Sequence, residues 1–155
     1  SIERFFSSHQ SPVLEIEEIR EIMEPELAAL AAERATPQNI ERMEQALAYI
    51  EGDPNDLDRY IQGDAEFHIA LVEAAQNKML SAVYAPMIAM MKDAIREVTL
   101  HMVQAGQHDP QRHREMLEPI KAGQPEEARR AAYEHLKGFR KVSALMLKPD
   151  EMPHR

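Results

Sequence analysis

The sequence predicts an all-α protein, an antiparallel bundle of about six helices. Three observations lead there. No segment alternates polar and apolar residues as a half-buried strand does, and no Asn-Gly hairpin signal occurs. Several of the ten prolines directly follow a capping residue, as in "TPQN", "DPND" and "DPQR", the pattern of helix starts. The chain has four Tyr, four Phe and no Trp, while Ala, Leu, Met and Glu are plentiful.

The predicted helices span 14–34, 38–51, 55–76, 78–104, 110–122 and 125–147. Thr36, Asp53 and Asp109 are read as N-caps, with Pro37, Pro54 and Pro110 at the first helical positions. Gly52 and Gly123 fall where helices stop. Pro25, Pro86 and Pro119 lie within the first, fourth and fifth helices, where each removes one hydrogen bond and favours a kink. Short loops make sequential helices antiparallel neighbours, with room for a site between helix pairs. Residues 14–147 form one domain, 1–13 a loose lead-in and 148–155 a frayed tail. The Met-rich run "YAPMIAMMKDAIREV" offers a broad apolar surface, core by default and a dimer seam as the alternative.

Charge narrows the function. With 18 basic against 27 acidic residues, the chain carries a formal net charge of −9. It repels nucleic acid phosphate and has no basic stripe, so direct DNA binding by this chain is rejected. The absence of cysteine rules out disulfides and thiolate metal sites, in keeping with a reducing cytoplasm, the expected location. No apolar run is long enough to span a bilayer, and no membrane partner is expected.

Polar residues on apolar stripes carry the chemistry. In "GDAEFHIALVEAAQN" the inward stripe runs Leu57, Ile61, Asp64, Phe67, His68, Leu71, Ala75. His113 shares a face with Met116, Leu117 and Ile120, and His135 with Ala128, Ala131, Ala132, Phe139 and Val142. Sending a lone polar group inward costs on the order of 2–7 kcal/mol without a partner. Four such residues on three faces satisfy one another if they converge on one divalent cation. One carboxylate oxygen and three imidazole nitrogens suit zinc first, with nickel, manganese or ferrous iron as alternatives. The competing reading for each histidine alone is a core residue bonded to a carbonyl, and for Asp64 with His68 a buried hydrogen-bonded pair. His101 and His108 lie off these stripes and are read as loop or surface residues, while His9 and His154 sit at the chain ends.

Arg20 also falls on an apolar stripe, with Ile16, Met23 and Leu27. A local partner is available in Glu24 at i+4. Beside a metal, the same arginine completes a positive pocket for a small carboxylate.

These motifs resemble the FCD domain, the effector-binding and dimerising C-terminal half of one branch of the GntR transcription regulators. "EIREIMEPELAALAAERAT" is similar to the family's opening helix. "DAEFHIALVEAAQN" resembles its D-x-x-F-H followed by A-x-x-N, and "HREMLEPIKAGQPEEARRAAYEHL" its closing histidine pair. The resemblance implies metal ligands Asp64, His68, His113 and His135, and Arg20 as the effector-carboxylate residue. It further implies a homodimer, a small organic acid as effector, and membership of the metal-binding subgroup. Asn77 matches the motif's asparagine and is read as helix-end structure. Gln124 stands where the family often has Asp, at a helix-capping position.

Family members carry an N-terminal winged helix-turn-helix, and nothing basic or hairpin-rich precedes residue 14. The chain is therefore expected to be a truncated regulator or a free-standing sensor, with operator DNA contacted only through a missing N-terminal domain. The expectation is a non-enzymatic metal-dependent carboxylate sensor. The rivals are a metal-dependent hydrolase or lyase and a purely structural metal site. A hydrolase needs a non-ligand general base near the metal, yet Glu66 and Glu73 lie off the Asp64–His68 face.

Overall fold

The computed structural model describes residues 13–106 and 108–146. Seven helices occupy them: α1 (Val13–Arg34), α2 (Pro37–Ile50), α3 (Leu57–Ala74), α4 (Lys78–Met90), α5 (Lys92–Gln104), α6 (Gln111–Lys121) and α7 (Pro125–Met146). The described residues contain no strand, in agreement with the all-α reading. The lead-in, apart from Val13, and the whole tail lie outside the described residues, as do His9 and His154.

Local chemistry sets the helix starts. Thr36 Oγ1 accepts from Asn39 N–H at 3.3 Å, and Asn39 Oδ1 accepts from Thr36 N–H at 2.9 Å. This reciprocal box opens α2, with Pro37 first in the helix as the sequence indicates. Asp53 is a correction. Its Oδ1 accepts from Asn55 N–H at 2.9 Å, closing a tight Asx turn, and Asp56 caps α3 by accepting from Arg59 N–H at 3.0 Å. Asp109 is a second correction: Pro110 takes the N-cap position of α6 with no side-chain cap bond, and Asp109 Oδ1 accepts from Gln111 N–H at 3.0 Å in an Asx turn just before the helix. Asn77 caps α4 through Met79 and Leu80 N–H, both at 3.2 Å, so its helix-end reading holds.

The single helix expected over 78–104 is two. At Met91 the backbone N–H bonds Ile88 O at 3.0 Å, a tightened i→i−3 turn, and ψ is −5°. Pro86 sits inside α4 without ending it. Met91 is only 1% exposed, and its burial in the core pins the corner between α4 and α5. Between α6 and α7, Gln124 N–H reaches Pro119 O at 2.9 Å while Gly123, at φ +65°, bonds Ile120 O at 3.1 Å. This closing motif satisfies the last carbonyls of α6. Gln124 O then takes the Ala128 N–H of α7 at 3.0 Å.

α3 is the central element because two apolar cores flank it. On one side Phe67, Ala70, Leu71 and Ala74 pack with α2, α6 and α7, around Met43, Leu47, Met116 and Leu117. On the other, Ile61, Ala65, Val72 and Ala75 pack with Tyr84, Ile88, Met91 and Ile95 of the α4–α5 arm. Gly63 lets α2 approach closely: a Cβ there would stand 2.8 Å from both Ala46 O and Tyr49 Cβ. α1 lies along α7 and also touches α3. No described helix is long and apolar enough to cross a membrane.

Candidate metal centre

Two faces of α3 are committed to apolar cores, and the remaining buried strip carries Asp64 and His68 one turn apart. Opposite them stand His113, in the first turn of α6, and His135, midway along α7. The structure thus brings together all four residues singled out in the sequence. One donor atom from each lies within 4.8 Å of every other. A single tetrahedral ion with bonds of roughly 2.0–2.2 Å holds its donors roughly 3.4 Å apart, so side-chain adjustments of about an ångström close the shell. His113 Nε2 stands 2.9 Å from Asp64 Oδ1. The imidazole centroids are 4.4 Å apart for His113–His135, 5.3 Å for His68–His135 and 5.6 Å for His68–His113.

α1 supplies what the sequence did not reveal. Glu24 is fully buried and reaches three partners. Its Oε1 accepts from Arg20 Nε at 2.6 Å and from Tyr84 O–H at 2.7 Å. Its Oε2 stands 2.7 Å from His68 Nδ1, an ion-pair distance without the alignment of a hydrogen bond. Arg20 is 2% exposed and holds the local partner that its i+4 spacing offered. The link from Glu24 to His68 depends on α1 packing against α3, which no periodicity announces.

Electrostatics prepare the cluster for a cation. Burial works to raise the Asp64 pKa, but the hydrogen bond with His113 and the fields of His68, His113 and Arg20 hold it below the usual carboxylate range. Burial likewise opposes ionisation of Glu24, and Arg20 and His68 outweigh it. The imidazoles respond the other way. Burial lowers His113, with Asp64 opposing, and burial together with His113 and His68 lowers His135 well below its ordinary value. Both are therefore neutral at pH 7, with lone pairs to give. His68 Nε2, His113 Nδ1 and His135 Nδ1 are buried without a hydrogen-bond partner in the protein. Buried imidazole nitrogens with nothing to bind are costly, and a divalent ion among them removes part of that cost. The donor set fits.

The family model of the FCD domain matches residues 15–138. This chain belongs to the FCD domain family. Among relatives, it is 29% identical over 132 residues to the HTH-type transcriptional repressor NanR of Cronobacter sakazakii, covering 84% of this chain and 51% of that protein. It is 27% identical over 128 residues to the HTH-type transcriptional regulator LutR of Bacillus subtilis, covering 80% of this chain and 58% of that protein. The chain therefore spans about half the length of the curated relatives it matches. A solved structure of Streptococcus agalactiae GntR superposes with a TM-score of 0.66 at 24% identity, covering 88% of this chain and 62% of that one, a likeness of fold.

Within this FCD domain the cluster borders a cavity of about 30 Å³, lined by Tyr60, Thr99 and Phe139 as well as Asp64, His113 and His135. His108 also lines it: the loop reading holds, since it lies in the connection before α6, but it is half-buried over the cavity and not on the open surface. The α5–α6 connection folds back over α3, setting the His108 ring 4.5 Å from that of Tyr60 and leaving Nε2 buried without a partner. His101 is exposed, as expected. Glu66 and Glu73 point away from the cluster, bound to Gln62 and Arg42 respectively.

Proposed function

We propose that this FCD domain is the metal-dependent, small-carboxylate-sensing part of a bacterial GntR-type transcription regulator. Asp64, His68, His113 and His135 are the residues that hold the divalent ion, with zinc as the first choice. The ion supplies a Lewis-acidic seat for a carboxylate or hydroxyl oxygen of a small organic acid. The observation that carries the reading is the convergence of one ionised carboxylate, two buried imidazoles and a half-buried third, with unpartnered ring nitrogens, from three helices.

Glu24 fixes the ring of His68 from behind, the usual way a carboxylate orients a metal-binding histidine. Arg20, its Nε held by Glu24, keeps a permanent positive charge facing the same interior and favours an anionic effector. A ligand moves the domain only by binding one arrangement of helices more tightly than another. α1 is the element suited to pass that preference on, because it holds Glu24 and Arg20 at the site while its start faces the N-terminal side of the chain. In the whole regulator, a winged helix-turn-helix on that side reads operator DNA. The exposed Met79, Val83 and Met90 of α4 form the seam of a homodimer.

The relatives are regulators, and the carboxylates nearest the cluster, Asp64 and Glu24, are already engaged, which favours sensing over hydrolysis. The test is a thermal-shift screen of hydroxy and sugar acids against metal-loaded and metal-stripped protein. Stabilisation by an acid that vanishes on stripping supports sensing. No response from any acid, with metal bound, favours a structural ion.

A further inference from the structure

The small cavity at the cluster and a larger groove outside it share one wall. The groove, about 830 Å³, runs between α6 and α7. Asp109, Arg112 and His135 line both spaces. Of these, Arg112 alone carries a permanent positive charge. Its only ion pair among the described residues is with Asp109, 4.0 Å from Nε and beyond hydrogen-bond range, and the side chain stays 43% exposed.

A missing side chain makes its seat. Gly138 of α7 lies beneath the guanidinium, and a Cβ added there would stand 2.2 Å from Nη1 and 3.3 Å from Cζ. Any larger residue at 138 forces Arg112 elsewhere. His108, with its buried and unpartnered Nε2, borders the same opening.

Volume and charge then choose a ligand. A cavity of about 30 Å³ holds a water or two, not an organic acid. An acid must lie across the shared wall, one end at the cluster and the other where Arg112 stands. A divalent ion with Asp64, Glu24 and Arg20 sums to a single positive charge, which one carboxylate neutralises. Arg112 offers a second cation, loosely held. Beyond it Glu115, Glu118, Glu127 and Glu134 line the groove, and its other arginine, Arg130, is paired with Glu127, so the lining repels a third carboxylate.

We propose that Arg112, seated on Gly138, recognises the far carboxylate of the effector, so that this domain selects short dicarboxylates over monocarboxylates. The proposal rests on the carboxylate-sensing reading above and names the ligand class for that same site.

Calorimetric titration of the zinc-loaded chain with malate and with lactate, which lacks the second carboxylate, tests it, with citrate as the three-carboxylate control. Malate is expected to bind at least about tenfold more tightly than lactate, the ratio that one charged hydrogen-bonding partner gives, and citrate more weakly than malate. Arg112→Gln should bring malate to the lactate level and leave lactate unchanged. Gly138→Ala favours the helix while displacing the guanidinium, and should act likewise, with circular dichroism verifying the fold. Equal or tighter binding of lactate by the unaltered chain overturns the proposal, as does an Arg112→Gln variant that changes both acids alike or neither. Metal-dependent lactate binding in those cases leaves the sensing reading standing. Failure of every acid removes both.

Discussion

Oε2 of Glu24 on α1 lies 2.7 Å from Nδ1 of His68 on α3, and both atoms are buried. In the proposed site this carboxylate orients the imidazole so that its Nε2 edge turns toward Asp64, His113 and His135. Glu24→Gln keeps the shape and removes the charge. Loss of such an orienting partner weakens metal binding by about 10–100-fold, and competition with a chelator of known affinity should show that drop. Unchanged affinity would confine Glu24 to the Arg20 pair.

His135→Ala removes one of four donors and no hydrogen bond recorded for the native fold. Protein purified without a histidine tag should carry close to one metal per chain, and the variant much less. Added zinc should raise the thermal midpoint of the native chain only. At 100 times the dissociation constant the stabilisation is about 2.7 kcal/mol. Equal metal content in both proteins would end the ligand assignment.

Glu17 gives a pH dependence away from the cluster. It is 3% exposed, and Ser143 Oγ donates to its Oε1 at 2.5 Å. Burial raises its pKa, against the opposing hydrogen bond from Ser143 and the charges of Arg20 and Arg140. A carboxyl with a raised folded pKa favours the fold most while protonated, below its ordinary pKa. That contribution is lost as pH climbs from the ordinary value through the raised one. Glu17→Gln keeps an acceptor for Ser143 and does not ionise. Its thermal midpoint should exceed that of the native chain by more at pH 7 than at pH 4, and calorimetry at the two values checks the sign.

Gly63→Ala tests the approach of α2 to α3. Alanine gains about 1 kcal/mol in helix propensity over glycine. Against this, its Cβ meets the Ala46 carbonyl and Tyr49 Cβ at 2.8 Å, and overpacking of this kind costs about 1–3 kcal/mol. The backbone carbonyl cannot swing aside as a side-chain tip can, so the net effect is destabilising. Urea unfolding should show a lower midpoint with an unchanged slope.

Val83 is 56% exposed on α4, between Met79 at 74% and Met90 at 37%. Val83→Glu puts a charge in the proposed dimer seam and touches no core residue. Sedimentation should report a shift from dimer toward monomer while the helical signal is kept. A native chain that sediments as a monomer would remove the seam.

What the sequence revealed follows physical lines. Thr36 with Pro37 announces a helix start because capping acts over three residues, and the structure has it there. Asp64, His68, His113 and His135 were visible because each stands on an otherwise apolar stripe, and tertiary packing brings those stripes together. The break at Met91 was hidden, since no proline or glycine marks it and the cause is where Met91 is buried. Glu24 was visible only as the partner of Arg20. Its reach to His68 crosses from α1 to α3. His108 was read as a loop or surface residue because helical periodicity says nothing about where the connection before α6 folds, and Arg112, in the first turn of α6, lies off the apolar stripe of His113, Met116, Leu117 and Ile120.

Asp64 and His113 are 49 positions apart in the chain and 2.9 Å apart in space. Whatever ties them together closes a long loop, and the entropy of that closure grows only slowly with length. A cation bridging them would act as a removable staple, holding α3, α6 and α7 in register while it is present. A cell starved of that metal would then carry a looser regulator, more open to proteases, and the protein's lifetime would track metal supply before any effector arrived.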